Sequence, residues 1–425
     1  MKSGRGVMMD CDLEKLACPE FPDRVFELKD FAGGSGDQDT LQRAVDECRR
    51  QGGGTVRVNP GVWRTGAVKL YSNIRLYLEE GSRLEFSADP ADYLPMVFTR
   101  WEGIECWNYS PLIYAADCEN IAVVGKGELY GSGPQWWHWK SLQQKAARKL
   151  YDAEADGIPV DERRFGTVEA ALRPSFIQFV RCRNVCFSDF SISEGPQWMI
   201  HPVYCENVLV KGVNVISGGP NTDGLNPDSC SNVRIEDCTF ATGDDCIALN
   251  SGMNEDGWRV NRPCENILIR RCRMTKGHGG VVIGSGMSGG VRNVRVQDCV
   301  FDGTELGIRL KAMRGRGGVV ENVVFDRIRI DHIPGPAIQI TTFYQATTTP
   351  PKSSVPPLFR DLTIRNISGS GNLLGMEMKG LAEAHLENLT LENIDLAADS
   401  AMECCDISGI ALNCVRIVKN PSRQS

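Results

Sequence analysis

Cys205-Glu206-Asn207-Val208-Leu209-Val210 returns as Cys230-Ser231-Asn232-Val233-Arg234-Ile235, and the phrase that recurs is an asparagine followed by alternating apolar residues. Outward from this pair it is found as Asn73-Ile74, Asn120-Ile121 and Asn184-Val185, then as Asn266-Ile267, Asn293-Val294, Asn322-Val323 and Asn388-Leu389, with Asp361-Leu362 as a variant. From Asn184 to Asn322 the successive intervals are 23, 25, 34, 27 and 29 residues. Repeats of this length, each holding one or more short strands, indicate a solenoid. An asparagine suits the corner before each strand, because its amide bonds local backbone and tolerates a left-handed turn. These residues are therefore expected to hold corners and do no chemistry.

The flanks fit an all-β coil with a cap. Leu41, Ala44, Val45 and Cys48 follow the i, i+3, i+4, i+7 spacing of an amphipathic helix over Asp39 to Arg50. Asp37 or Asp39 is expected to cap it and Gly52-Gly53-Gly54 to end it. Such a helix would cover the open end of a stacked sheet. Before it, Glu27 to Phe31 reads as a lead-in strand. Residues 1–54 thus form a lead-in and capping helix, 55–418 the coil, and 419–425 a polar tail. An insertion at about 130–172 interrupts the repeats with Trp136-Trp137-His138-Trp139, a helical stretch around Ser141 to Asp152, and Asp161-Glu162-Arg163-Arg164. Its aromatics either stack on a sugar ring or pack the insertion onto the coil. Thr341 to Pro357, rich in Thr and Pro, reads as a surface loop near the same face.

Composition excludes several classes. No apolar run reaches 18 residues, so a helical membrane span is not expected. A net charge of −7 argues against a nucleic-acid partner. Basic residues nevertheless gather locally, at Arg292, Arg295, Arg309, Lys311, Arg314 and Arg316, which leaves room for an anionic ligand. The 17 cysteines include no CxxC pair, so they read as reduced thiols buried as small hydrophobes rather than zinc ligands. The N-terminus has no apolar leader region, so the expected location is cytoplasmic, or secreted if a leader has been removed. Oligomeric state is not legible.

Chemistry concentrates between Asn221 and Gly318. Asn221-Thr222-Asp223-Gly224 is followed by Gly243-Asp244-Asp245-Cys246, then Gly277-His278-Gly279-Gly280, then Arg309-Leu310-Lys311. Each interval is about one turn of a coil, so stacking would place three carboxylates, an imidazole and two cations on one wall, about 5 Å apart per turn. Carboxylates on opposite sides of a sugar can protonate a leaving oxygen and activate water, at about 6.5–9.5 Å separation in inverting enzymes. Crowding raises at least one pKa, which keeps a proton available. A bend after Gly243 would present both Asp244 and Asp245. Arg309 and Lys311 face the same way on a strand, so an anion is expected to bridge them. Calcium on Asp223, Asp228, Asp244 and Asp245 is the competing reading, which the imidazole and cations disfavour.

These four motifs together resemble glycoside hydrolase family 28, the polygalacturonases and related pectin hydrolases. The resemblance implies a right-handed single-stranded parallel β-helix, inverting hydrolysis of α-1,4-galacturonosyl links, a pectic oligosaccharide as substrate, and no metal or other cofactor. By motif, it implies Asp244 as general acid, Asp223 and Asp245 as the pair that activates water, and His278 as partner of the acid. Arg309 and Lys311 would grip the galacturonate carboxylate, and Asn221 would orient the group. Asn221 to Cys230 and Gly277 to Gly290 are similar to bacterial exo-acting members, whose added loops close one end of the groove. Gly286 stands where similar sequences often carry an acidic residue. The insertion is the candidate end wall. A hydrolase for rhamnogalacturonan or another uronate glycan, a pectate lyase, and a non-catalytic uronate-binding β-helix are the alternatives.

Overall fold

A computed structural model describes residues 13–33, 39–344 and 355–420. The asparagine phrase marks one strand per coil, and the strands pair in parallel, each with the next coil. One inward ladder runs Ile74, Ile121, Val185, Val208, Val233, Ile267, Val294, Val323, Leu362, Leu389 and Ile410. All but Ile410 are at most 2% exposed, so the core is a column of stacked β-branched and leucine side chains. The coil is a right-handed parallel β-helix, the hand that parallel crossovers take.

One residue before each rung stands the corner asparagine. Asn73, Asn120, Asn184, Asn207, Asn232, Asn266, Asn293, Asn322 and Asn388 all have φ between 53° and 62°. Their amides form a second ladder, each Nδ2 from Asn120 onward donating to the Oδ1 of the preceding coil, as from Asn207 to Asn184 at 3.0 Å and from Asn232 to Asn207 at 3.1 Å. Asn388 donates to Asp361, the variant in the phrase, at 3.0 Å. The structural role expected of these residues is the one they have.

The helix Thr40–Arg50 buries Leu41, Ala44, Val45 and Cys48 against the first coil. Asp39 makes no side-chain cap bond, and Asp37 lies outside the described residues. At the C-terminal end of the helix the Gly52 and Gly53 amides close onto the Arg49 and Cys48 carbonyls at 2.9 Å. The expected lead-in strand is instead a short strand Val25–Glu27 and a 3-10 turn Leu28–Phe31. The opposite end is more open. Ile410 and Leu412, in core-facing register on the last strand Ile407–Lys419, are 40% and 53% exposed.

Three excursions leave the coil on one face and pack together. The insertion contributes helices Trp139–Leu142 and Gln144–Ala155. The other two are a hairpin, Val97–Trp101 with Ile104–Asn108, and a helix, Asn254–Val260. A small separate core of Trp101, Ile104, Leu150, Phe165, Leu172 and Met253 joins them. Polar pins fix their relative position: Arg163 to Asp256 at 2.9 Å, and Glu154 accepting from Asn254 Nδ2 and the Asp256 amide at 3.1 and 2.8 Å. Removing one partner of such a buried pair would leave an uncompensated charge, so the excursions are held in one arrangement. Trp136 and Trp139 are buried edge-to-face against each other within the main core, so for these two packing prevails over sugar stacking.

Ten of the described cysteines are free and buried, as expected of small hydrophobes, while Cys404, Cys405 and Cys414 are exposed. The expectation of wholly reduced thiols is corrected at one place: Cys18 forms a disulfide with Cys186, 168 residues away in sequence. Only the winding of the coil brings the N-terminal arm across that strand, so the pairing has no local signature.

Candidate active site

The four motifs fall on consecutive coils. The Asp223 carbonyl accepts from the Met199 amide, the Gly224 amide donates to the Asp245 carbonyl, and the His278 amide donates to the Asp244 carbonyl. One coil further, Arg309 pairs with Val282 in register. Residues 242 to 246 are irregular backbone, which lets Asp244 and Asp245 both face the site. Gly243 is required there by close approach, since a Cβ would sit 2.0 Å from the Gly219 carbonyl oxygen.

One oxygen from each of Asp223, Asp244 and Asp245 lies within 4.8 Å of the others. This cluster is tighter than the 6.5–9.5 Å expected for carboxyls with water between them. It could also hold a divalent cation, although a lysine already occupies one side: Lys311 Nζ is 2.7 Å from Asp245 Oδ2, and Arg309 Nη1 is 3.3 Å from Asp245 Oδ1. The anion bridging the two cations is thus Asp245 itself, 2% exposed and dependent on them for charge compensation. Tyr344 covers both cations, its ring centre 4.8 Å from Lys311 Nζ. Residues 345–354 of the expected loop lie outside the described residues.

Asp244 is the most accessible of the three carboxylates, its side chain 18% exposed. His278 Nδ1 lies 3.0 Å from Asp244 Oδ1, and Asn221 Nδ2 donates to Asp244 Oδ2 at 3.4 Å. Burial pushes the Asp244 carboxyl up, but the His278 hydrogen bond and charge, with Lys311, outweigh it and hold the group below the usual range. The same contact raises the His278 imidazole. Asp223 behaves oppositely: burial, then the Asp244 and Asp245 charges, push its carboxyl well above the usual range, against a hydrogen bond from Asn226 at 3.0 Å.

Asn221 is itself held by Arg173, whose guanidinium also donates to Gln143 Oε1 and to the Pro196 and Pro220 carbonyls. Burial lowers Arg173 to about 10. Arg173 had no signal in the sequence beyond its place at the end of the insertion.

A cavity of about 330 Å³ opens beside the cluster and is lined by Asn221, Asp223, Asp244, Asp245 and Lys311. Of its other walls, the sequence places Arg316 in a basic cluster suited to an anion, marks Gly286 and points to the insertion that supplies Lys140 and Tyr151; sequence reasoning missed Glu102, at the hairpin tip, and Trp198. Trp198, Tyr151 and Tyr344 are the aromatic residues in this lining, and none of Trp136, Trp137 and Trp139 is among them. His278 and Arg309 stand just behind, touching the lining through Asp244 and Asp245. The electrostatics are mixed, with three cations and four carboxylates facing one small space.

Comparisons with known proteins place the chain in a family. The profile of "Glycosyl hydrolases family 28" matches residues 164–414. A probable polygalacturonase of Vitis vinifera is 30% identical over 407 residues, covering 90% of this chain and 77% of the relative. An exo-poly-alpha-D-galacturonosidase of Dickeya chrysanthemi is 25% identical, covering 90% and 69%. The crystal structure of a hyperthermoactive exopolygalacturonase from Thermotoga maritima superposes with a TM-score of 0.91 at 35% identity, covering 99% of this chain and 97% of the other.

Proposed function

This chain belongs to glycosyl hydrolase family 28, and from that premise we propose that it hydrolyses α-1,4-galacturonosyl links of pectic oligogalacturonates, releasing sugar from the non-reducing end with inversion. The observation that carries the reading is Asp244, held by His278 and Asn221 at a cavity that the hairpin and the insertion wall on one side. Exo action is supported by that wall and by the names of the Thermotoga and Dickeya relatives. Lys140, Lys311 and Arg316 in the lining suit a substrate that carries carboxylates.

In this mechanism the proton shared by His278 and Asp244 goes to the glycosidic oxygen through Asp244. Water lies between Asp223 and Asp245 and attacks the anomeric carbon as the leaving sugar departs. Asp223 takes its proton, since burial and the neighbouring charges raise its carboxyl, while Asp245, pinned by Lys311 and Arg309, orients the water and offsets positive charge at the anomeric carbon. Asp223 thereby ends protonated and Asp244 ionised, the states their surroundings favour.

The test is a product time course on galacturonate oligomers of defined length, with a chelator present, run beside Asp244→Asn. Early monomer without mid-sized fragments is expected, and the substitution should remove about 3 kcal/mol or more of transition-state stabilisation. Proton NMR of the first product should show the β-anomer from an α-link. An α-anomer would replace inversion by a covalent route, which the short carboxylate spacing makes the specific alternative. Activity confined to rhamnose-containing oligomers would keep the mechanism and change the substrate.

A further inference from the structure

Glu102 and Gly103 form the two-residue turn between Val97–Trp101 and Ile104–Asn108, and both have positive φ, 45° and 90°. Turns of this hand favour Asn-Gly or Asp-Gly, because a short polar side chain tolerates left-handed backbone. A glutamate at the first position is a local conflict of the kind that collects at functional sites. The turn is also held rigidly. Arg100 donates to the Gly103 carbonyl at 3.1 Å and pairs with Asp228 at 2.9 Å, both of these side chains fully buried. The Glu102 carboxylate projects into the cavity with the catalytic aspartates. It accepts from Tyr151 Oη and from Gln197 Nε2, each at 3.2 Å, which leaves lone pairs for a ligand. Burial raises this carboxyl, and Lys140, then Arg173, draw it back toward the acceptor form.

A fourth carboxylate in a cavity for an anionic sugar is repulsive unless it meets hydroxyl donors. We infer that Glu102 recognises the chain end, its carboxylate accepting hydrogen bonds from the free hydroxyls of the terminal sugar and its charge turning away a chain that continues. In a continuing chain the 4-hydroxyl is replaced by a glycosidic oxygen, which has no proton to give, and the next sugar brings another carboxylate. The same logic turns away ends without that hydroxyl, such as the 4,5-unsaturated ends that an eliminative cleavage leaves. This inference deepens the proposed exo-hydrolase reading and rests on it.

The experiment compares trigalacturonate with its 4,5-unsaturated counterpart on the wild type and on Glu102→Gln, with melting curves to confirm folding. The wild type should prefer the saturated trimer by about tenfold or more in kcat/KM, as expected for a site built around a substrate hydroxyl. In Glu102→Gln that preference should shrink to about threefold or less, through loss on the saturated trimer alone. Equal wild-type rates on the two trimers, or a substitution that slows both alike, would overturn the role of Glu102 and leave the hydrolase reading standing. Failure of the wild type to hydrolyse either trimer would defeat the hydrolase reading and the inference with it. Should Glu102→Gln not fold, binding of both trimers to Asp244→Asn decides: matching affinities overturn the inference, and an affinity gap of about tenfold supports it.

Discussion

Asp223 and Asp244 carry opposite shifts only one coil apart, and the pH behaviour of the protein follows from them. In the proposed mechanism Asp223 must be ionised to take the water's proton, so activity should rise with pH through a value well above the ordinary carboxylate range. The His278–Asp244 pair must keep its proton, so the alkaline limb should lie above the ordinary histidine value. The two limbs belong to the interacting Asp223, Asp244 and His278 groups rather than to either carboxylate alone. A kcat/KM profile against pH checks both; an acid limb at the ordinary carboxylate value would remove Asp223 as the base. Stability gives a second reading. The folded chain binds the Asp223 proton more tightly than the unfolded chain does, so Asp223 lowers stability as pH rises from the ordinary carboxylate range through its raised value. Asp223→Asn should therefore melt higher than wild type near neutral pH, with the gap closing in acid, while activity is lost.

Among the elements, the corner asparagines do two jobs that substitution can separate. Asn232 has φ 56° and sits between Asn207 and Asn266 in the amide ladder. Asn232→Ala loses both the ladder bonds and the tolerance of left-handed backbone, an expected cost of about 2–4 kcal/mol in denaturant titration. Asn232→Gly keeps the conformation and loses the bonds, so it should cost roughly half as much. Equal costs would mean that the corner conformation is unimportant. These corners were legible because the same residue type solves the same local problem once per coil. The helix Thr40–Arg50 was legible for a similar reason, its periodic face being local. The hairpin at Val97–Asn108 and the helix Asn254–Val260 were not: each is short, and each is stabilised by long-range partners such as Asp228 to Arg100 and Glu154 to the Asp256 amide.

Across the whole molecule, the N-terminal arm is tied to the coil far from its own sequence neighbours. Arg234 donates to the Leu13, Glu14 and Leu16 carbonyls, and the Cys18–Cys186 disulfide adds a covalent tie. Cys18→Ser should lower stability by about 2–5 kcal/mol, with activity kept because the arm lies away from the cavity. Two more thiols titrated in denaturant after reduction than before would verify the bond; equal counts would disprove it. The sequence by itself determined the repeating coil, its capping helix and the grouping of Asp223, Asp244, Asp245, His278, Arg309 and Lys311 on neighbouring turns. Spacing near one coil length translates directly into stacking, and side-chain period translates into burial. Only the tertiary structure decided that Asp245 is the anion between the two cations, that the insertion tryptophans Trp136 and Trp139 pack inward, and that Glu102, Lys140, Tyr151, Trp198 and Arg316 close the cavity. Those residues come from four separate segments with no shared period, and what brings Glu102, Lys140 and Tyr151 to the coil's Trp198 and Arg316 is the packing of the excursions against each other on a rigid column.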